Sequence, residues 1–194
     1  MGDRRNSGAQ KYKIKRGTKM VEAEEVRQKS HDKEFILEVV KTQPLMLEWA
    51  AEELQNDKEI VLEAVKVDGG ALEFSSKELK DDKDVVLTAV SQAPWTGCYV
   101  SKRLSDDKDI ILTAVKKDGQ ILYYASSRLR DDEDVVLAAV SNKPIIYKYA
   151  SQRLRGNKEI AIAALTKSTK AFSYLTEQLK QDEDIQKIMN PPEE

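Results

Sequence analysis

The sequence predicts an all-α protein, a right-handed-type α-solenoid of six 25-residue helix-turn-helix units that ends in a capping helix. Three observations predict this fold. One segment recurs at a constant spacing of 25 residues, each copy carries apolar residues at helical spacing, and charged residues make up 34% of the chain. High charge with steady apolar content is typical of helices that each keep one face in water.

The repeat opens as D-K-E-F-I-L-E-V-V-K at 32–41 and returns as D-K-E-I-V-L-E-A-V-K at 57–66. Further copies begin at residues 82, 107, 132 and 157, and a truncated copy begins at residue 182. No insertion or deletion interrupts the register, so six full units, numbered one to six in chain order, occupy 32–181. Helices of about ten residues are marginal alone. Each unit must therefore bury its apolar surface against its neighbours, as in a solenoid.

The first helix of each unit is predicted to begin after a polar cap, whose side-chain oxygen accepts an amide hydrogen bond of the first turn. The candidate cap pairs are Asn56 with Glu59, Asp81 with Asp84, Asp106 with Asp109, and Asp131 with Asp134. Apolar residues such as Ile60, Val61 and Leu62 cover more than half of this helix. That pattern predicts a buried helix.

The turn after the first helix alternates between two residue types. Units one, three and five carry proline at their thirteenth position, whereas units two and four carry glycine there. These residues are Pro44, Pro94, Pro144, Gly69 and Gly119. Proline presets φ for the start of a helix, and glycine permits a left-handed cap. The alternation indicates a larger period of two units.

The second helix carries an aromatic residue at the eighteenth position of each unit and a leucine at the twenty-third. The aromatic column is Trp49, Phe74, Tyr99, Tyr124, Tyr149 and Tyr174. The leucine column runs from Leu54 to Leu179. Their helical spacing, with small residues between them, predicts that both columns lie in the core.

The ends of the chain differ from the repeat domain at 31–181. Residues 182–190 are predicted to form a C-terminal capping helix, because columns that are apolar elsewhere become polar, and residues 191–194 form a tail. Residues 20–30 are a candidate N-terminal capping helix. Residues 1–19 hold seven basic residues and one acidic residue, whereas the remaining chain holds 25 basic and 33 acidic residues. This predicts a flexible basic tail on a mildly acidic body.

The motif D-K-E-x-V-L-x-A-V-K followed by A-L-x-Y-A-S-x-x-L resembles the family catalogued as domain of unknown function 4116. The resemblance covers 32–181 and is best at 57–81 and 107–131. It implies a helical tandem repeat of about 50 residues, which matches the period of two units, and it supplies no activity, cofactor or catalytic residue. Unit three departs most, since Gly97 stands where the pattern has a leucine-like residue, and there we expect a late helix start or a kink.

No catalytic, metal or cofactor site is predicted. His31 is the only histidine and Cys98 the only cysteine, so metal ligation and thiol catalysis both lack partners. The carboxylates recur in the cap columns of every unit, where capping explains them. The glycines at 69–70 and 119 lie in turns and form no phosphate-binding loop. The chain is therefore expected not to be an enzyme and to need no cofactor.

The compartment is predicted from what the sequence lacks. The apolar runs are short, so no membrane span is expected. The N-terminus shows neither a signal peptide nor a myristoylation motif. A single cysteine is compatible with a reducing environment. We expect a soluble intracellular protein, cytoplasmic in the first instance.

The outward-facing positions of the second helix are the candidate partner-binding surface, because aromatic and arginine side chains are enriched in binding hot spots. This surface comprises Trp95, Lys102, Arg103, Tyr123, Arg128, Arg130, Ile145, Lys148, Arg153 and Arg155. Candidate tail contacts are Arg4, Arg5, Lys11, Lys13, Lys15 and Arg16. In the alternative interpretation, Trp95 and Ile145 pack under a neighbouring unit and the arginines form ordinary surface ion pairs.

The expected function is a non-catalytic scaffold for protein–protein interaction, alone or as a structural subunit of a larger assembly. The alternative is a nucleic-acid or polyanion binder that uses the arginines and the basic tail. The net acidic body and the expected burial of the aromatic column disfavour it. A regulatory module of a longer protein is a third interpretation, which the Met1 start and the capped end disfavour.

Overall fold

A computed structural model describes residues 20–190, and within that range the chain is helical with no strand. Each unit contains three helices: a long α-helix, a 3-10 helix and a short third helix. The expectation of two helices was wrong, because the residue after each 3-10 helix is extended. At Ala50, for example, φ is −70° and ψ is 155°. This extended residue separates the aromatic column from the leucine column.

The long α-helices form one stacked row in which each helix packs on the next. They are Lys33–Val40, Lys58–Val67, Lys83–Gln92, Lys108–Lys117, Glu133–Asn142 and Lys158–Lys167. The cap is the first residue of each unit, one residue later than predicted. In unit three, Asp82 Oδ1 accepts hydrogen bonds from the amides of Asp84 at 3.0 Å and Val85 at 3.2 Å. The acid beside the cap lies at the second helical position, where it meets the positive end of the helix dipole.

The 3-10 helices form a second stacked row. They are Pro44–Trp49, Gly69–Phe74, Pro94–Tyr99, Gly119–Tyr124, Pro144–Tyr149 and Thr169–Tyr174. The short third helices follow them. They are Glu52–Gln55, Leu79–Asp81, Leu104–Asp106, Leu129–Asp131, Gln152–Arg155 and Glu177–Lys180. Together the rows make a solenoid-like repeat structure, whose handedness stays a prediction.

The core lies between the two rows. In unit two, the long helix buries Ile60, Val61, Ala64 and Val65 completely. The leucine column is buried in all six units, as predicted. From the 3-10 helices, the residues at the fifteenth and sixteenth positions of the unit contribute to the core; Leu72, for example, is fully buried. The apolar surface is thus shared between consecutive units, which makes each unit dependent on its neighbours.

The aromatic column is not buried in the core, contrary to expectation. Tyr124 is 42% exposed, and the other five rings are half-buried. The reason is the 3-10 geometry, which completes a turn in three residues. The eighteenth position of the unit therefore lies on the same face as the buried fifteenth position. It is one turn further along, however, where the helix ends. Its ring contacts the edge of the core and keeps one side in solvent.

The glycines of the turn are explained by close packing between units. Neither Gly69 nor Gly119 has a positive φ, so the expected left-handed cap is wrong. A Cβ at Gly69 would lie 2.3 Å from the carbonyl oxygen of Ala89 in the next unit. The expected late start at Gly97 is also wrong, since its helix has the same extent as the others. The helix does differ at its end, because Val100 does not donate the backbone hydrogen bond that the equivalent residue donates in the other five units. A Cβ at Gly97 would lie 2.8 Å from Cγ2 of Ile121.

Short helices flank the repeats at both ends of the described range. The first is Ala23–Gln28, which buries Val26 against the core. The second is Glu183–Met189, which buries Ile185 and exposes Gln186 and Lys187. The outer face of this last helix is thus polar. The basic tail at 1–19 and the segment 191–194 lie outside the described residues.

Candidate partner-binding surface

A backbone ladder joins consecutive units along their short third helices. The amide at the twentieth position of each unit donates to the carbonyl at the twenty-fourth position of the preceding unit. The amide of Ser126 donates to the carbonyl of Ser105 at 2.9 Å, and that of Ser151 donates to Arg130 at 2.9 Å. One main-chain hydrogen bond per boundary holds the units in register. Side chains of the same segment are thereby brought together across each boundary.

An acid–serine–arginine cluster closes the boundary between units three and four. The carboxylate of Asp106 accepts hydrogen bonds from Ser126 Oγ and from Arg128 Nε, the latter at 3.0 and 3.1 Å to its two oxygens. Arg128 Nη2 also donates to the main-chain carbonyl of Asp106. The Ser126 hydroxyl and the Arg128 guanidinium lower the pKa of Asp106. The predicted cap residue Asp106 therefore binds the next unit instead.

The same cluster recurs at the two neighbouring boundaries. Arg103 Nε lies 2.9 Å from Asp81 Oδ2, and Arg153 Nε lies 3.0 Å from Asp131 Oδ1. Three arginines of the candidate surface thus bind the preceding unit, as the alternative interpretation expected. Their side chains stay more than half exposed. The structure consequently assigns Arg103, Arg128 and Arg153 an inter-unit role.

At the start of the repeat, the acidic and basic residues of this cluster exchange positions. His31 and Glu53 occupy the positions that hold aspartate and arginine in later units, and His31 Nδ1 lies within hydrogen-bond distance of Glu53 Oε1. At the next boundary the positions hold Asn56 and Glu78, and Ser76 Oγ donates to Asn56 at 2.6 Å. The arginine-containing clusters are therefore confined to three consecutive boundaries in the middle of the solenoid.

A lysine ladder crosses the same boundaries at the starts of the long helices. Lys83 Nζ lies 2.8 Å from the carboxylate of the cap residue Asp107 and 2.9 Å from the carboxylate of Asp109, both in the next unit. Equivalent pairs are formed by Lys33, Lys58, Lys108 and Lys158. These bonds raise the pKa of the Lys83 ammonium and contribute to lowering that of Asp107. Most lysines of the long-helix starts are thus already neutralised.

Four cations of the candidate surface form no ion pair within the described range: Lys102, Arg130, Lys148 and Arg155. Lys148 Nζ lies 4.8 Å from the centre of its neighbouring Tyr149 ring, a cation–π distance. Arg155 Nε is buried with no hydrogen-bond partner there. These cations differ from the arginines of the inter-unit clusters, because no carboxylate in the described part of the chain balances their charge.

An exposed group of tyrosines lies beside these cations. Tyr123 is 53% exposed, and its ring centre lies 5.0 Å from that of Tyr124 and 4.9 Å from that of Tyr149, both in edge-to-face contact. Such contacts stabilise an aromatic cluster beyond its buried area. The rings therefore form one continuous aromatic surface across units four and five.

For Trp95 and Ile145, the structure agrees in part with the partner-binding interpretation and in part with the packing interpretation. The Trp95 indole rests on unit two, where a Cβ at Gly70 would lie 3.2 Å from it. Its ring centre is 6.0 Å from that of Tyr99, yet 48% of the residue is exposed. Ile145 is half-buried and packs against the core. Trp95 thus extends the aromatic surface into unit three, whereas Ile145 belongs mainly to packing.

We call the resulting area the tyrosine surface. It comprises Trp95, Tyr99, Tyr123, Tyr124, Lys148 and Tyr149, with Lys102, Arg130 and Arg155 beside them. Sequence reasoning included Tyr123 but missed Tyr99, Tyr124 and Tyr149, because their column was assigned to the core. The pair Tyr123-Tyr124 was the available signal, because it directly follows Ile121 and Leu122 in the same short helix, and four consecutive residues of one helix cannot all point inward. The candidate tail contacts lie outside the described residues.

The sequence-based prediction was also wrong about an apolar strip on the long helices, which it placed in the core. The sixth position of each unit lies on the outer side of the long helices: Leu37, Leu62, Leu87, Leu112, Leu137 and Ile162. Leu62 was expected to be buried but is half-buried, and Leu137 is 43% exposed. The strip is narrower and less exposed than the tyrosine surface.

Residues 20–190 show little support for a metal site, a reactive thiol or a membrane-spanning helix. No group of three histidine, cysteine, aspartate or glutamate residues is placed there to hold a metal ion. Partial burial raises the pKa of the Cys98 thiol, which disfavours the reactive thiolate. No helix of this part of the chain is long and apolar enough to cross a bilayer.

Comparison with known proteins bears on the repeat motif. The model of a family described as a domain of unknown function, DUF4116, matches 32–80, 68–105, 107–155 and 132–180. The chain belongs to the DUF4116 family. The matches at 32–80, 107–155 and 132–180 each span two units, which confirms the family repeat of about 50 residues. The last two matches overlap with starts 25 residues apart, so the family repeat fits in both phases of the proline–glycine alternation. No curated protein and no solved structure matches the chain.

Proposed function

We propose that this DUF4116 chain is a non-catalytic scaffold that binds a protein partner through the tyrosine surface. The observation that carries the proposal is the exposure of Tyr123 and Tyr124, at 53% and 42%, on a surface whose cations include four that pair with no carboxylate of residues 20–190. Tyrosine, tryptophan and arginine dominate binding hot spots, because they combine a large contact area with polar tips. A contiguous exposed group of them favours a binding role over a packing role.

Rigidity supports the scaffold role. Each boundary between units four, five and six carries a main-chain hydrogen bond, and the boundary between units four and five adds the Asp131–Arg153 cluster and the Lys108 pairs. These bonds hold neighbouring rings in place before a partner arrives. A preorganised surface loses less entropy on binding. The geometry therefore suits a preformed interface rather than one that closes around a ligand.

Nucleic acid is the second candidate, and the exposure of Tyr124 favours it. Exposed rings beside arginines can stack on bases, and the expected burial that disfavoured this function is wrong for Tyr124. The edge-to-face contacts of Tyr123 with Tyr124 and Tyr149 argue against it, since they occupy ring faces that a base would need. The carboxylates that neutralise Arg103 and Arg128 also reduce the charge available to phosphates. A protein partner therefore remains the preferred proposal.

The proposal is tested by capturing partners of the tagged full-length protein from its native lysate. We compare the wild type with the double variant Tyr123→Ala, Tyr124→Ala, and with Val67→Ala as a control. Val67 is 52% exposed but lies on a long helix, away from the tyrosines. Circular dichroism checks that all three proteins fold.

We expect a defined protein set that survives nuclease treatment, persists with Val67→Ala and is lost with the tyrosine variant. A recovered set that is unchanged by the tyrosine substitutions would overturn the proposal. Recovery that disappears after nuclease treatment would favour the nucleic-acid candidate.

A further inference from the structure

We propose that the tyrosine surface binds an extended acidic peptide that runs along the row of 3-10 helices, with acidic side chains about three residues apart. This inference rests on the proposed function, and it names the chemistry of the partner segment. Three arguments carry it: the local charge, the repeat of ring and cation along the solenoid, and the unpaired tyrosine hydroxyls.

The charge of the surface changes along the solenoid. In units three to five, the outward positions of the 3-10 and third helices hold Lys102, Arg130, Lys148 and Arg155. The acids of these third helices are Asp106 and Asp131, and both are already paired with Arg128 and Arg153. In units one and two, the equivalent positions include Glu48, Glu52, Glu53, Glu73 and Glu78. A partner segment with negative charge is therefore attracted to units three to five and repelled by the first two units.

Ring and cation alternate from unit to unit. Lys80, at the twenty-fourth position of unit two, donates to the carbonyl of Glu73 at 2.6 Å and lies 5.9 Å from the ring of Tyr99 in unit three. Arg130 and Arg155 occupy the equivalent positions of units four and five. Each step along the solenoid thus offers one ring and one cationic position.

The distance between steps sets the spacing of the acids. Packed helices lie about 8–10 Å apart, and an extended chain advances about 3.3 Å per residue. One unit therefore corresponds to about three residues of an extended peptide. An acid at every third residue would meet a cation at each step, while the residues between them contact the rings.

The tyrosine hydroxyls favour an extended conformation over a helical one. Within the described range, the hydroxyl of Tyr147 donates a hydrogen bond to the carbonyl of Leu154 at 3.0 Å, and the Tyr99 hydroxyl lies within hydrogen-bonding reach of the Glu73 carboxylate. The exposed hydroxyls of Tyr123 and Tyr124 are free to donate to a partner. An extended peptide presents its main-chain carbonyls for this purpose, whereas a helix uses its carbonyls internally.

The test measures the binding of labelled synthetic peptides to the full-length protein by fluorescence anisotropy. Three peptides share one length and one composition, with the same small number of aspartates among leucine and serine. In the first peptide neighbouring acids are three residues apart, in the second they are adjacent at one end, and in the third they are seven residues apart. An oligouridylate is measured beside them. We expect the first peptide to bind about tenfold more tightly than the second, since several weak ion pairs add when they are in register.

Two variants locate the site. The double variant Arg130→Gln, Lys148→Gln should weaken the first peptide about three- to tenfold. The control Lys116→Gln, Lys167→Gln removes the same charge from exposed positions of the long helices and should leave the affinity unchanged. Thermal unfolding shows whether either pair of substitutions disturbs the fold.

The remaining outcomes separate this inference from the proposed function. Equal binding of the regular and clustered peptides, tighter binding of the peptide with seven-residue spacing, or equal loss in both variants would overturn the extended acidic peptide. Tyrosine-dependent capture of proteins from the lysate would still support the proposed function. Tighter binding of oligouridylate, with a steep decrease as salt rises, would overturn both.

Discussion

Glu133 Oε1 and Arg153 Nη1 lie 2.9 Å apart within unit five, and the lysine ladder is missing from the boundary between units five and six. Glu133 replaces the lysine that starts the other five long helices, and Asn157 replaces the aspartate that this lysine would bind. The two replacements coincide, so neither leaves an unbalanced charge at the boundary. Glu133 instead adds a second acceptor to Arg153, which also binds Asp131.

Restoring the ladder at this boundary should require both residues. Glu133→Lys alone loses the pair with Arg153 and can gain only Glu159 of the two carboxylates that each ladder lysine binds elsewhere, so it should lower the melting temperature. The double variant Glu133→Lys, Asn157→Asp should have a melting temperature about 1–2 °C higher than the sum of the two single-variant shifts predicts. Differential scanning calorimetry of the four proteins measures this coupling. Additive shifts would show that the ladder does not stabilise the boundary.

The cap residues should contribute through two separable interactions. Asp107→Ala removes both the cap acceptor and the partner of Lys83, and should lower the free energy of unfolding by about 1–2 kcal/mol. Asp107→Asn keeps a capping oxygen and should cost clearly less. Urea denaturation of both variants measures the difference. An equal loss in the two variants would mean that the ion pair, and not the cap, is the main contribution.

Close packing at the turn predicts an asymmetry between glycines. A Cβ at Gly119 would lie 2.3 Å from the carbonyl oxygen of Ala139, a backbone atom that cannot move freely. Gly119→Ala should therefore destabilise the protein by about 1–3 kcal/mol. At Gly156 the nearest atom to such a Cβ is 3.4 Å away, so Gly156→Ala should be close to neutral. Thermal unfolding of both variants would show comparable losses if packing were not the cause.

Stability should decrease in acid. The pKa values of Asp81, Asp106 and Asp131 are lowered by hydrogen bonds from serine hydroxyls and by the arginines. A folded-state pKa below the unfolded value of 3.8 contributes stability that is present above pH 3.8 and is lost as the pH falls through the folded value. The lysines have raised pKa values, so their contribution is lost only as the pH rises above 10.5.

The arginine clusters can be tested for this acid sensitivity. The triple variant Arg103→Gln, Arg128→Gln, Arg153→Gln should be less stable than the wild type at neutral pH and should lose less stability on acidification. Urea denaturation between about pH 7 and about pH 3 follows both proteins. Parallel pH profiles would show that the clusters do not contribute to acid sensitivity.

The repeat itself could be read from the sequence, because its signals are local or strictly periodic. The constant 25-residue register predicted six units, the apolar pattern predicted the buried long helices, and the leucine column from Leu54 to Leu179 is buried as expected. These features depend on residue spacing within one helix and on the need of every unit to cover its neighbour.

The tertiary structure decided what depends on residues about one unit away. The exposure of Tyr124 follows from the 3-10 geometry of its helix, which apolar spacing does not distinguish from an α-helix over six residues. The role of Arg128 depends on Asp106 of the preceding unit, and the need for Gly119 depends on Ala139 of the next unit. Such partners come within contact distance only after the units have stacked, so local spacing carries no signal for them.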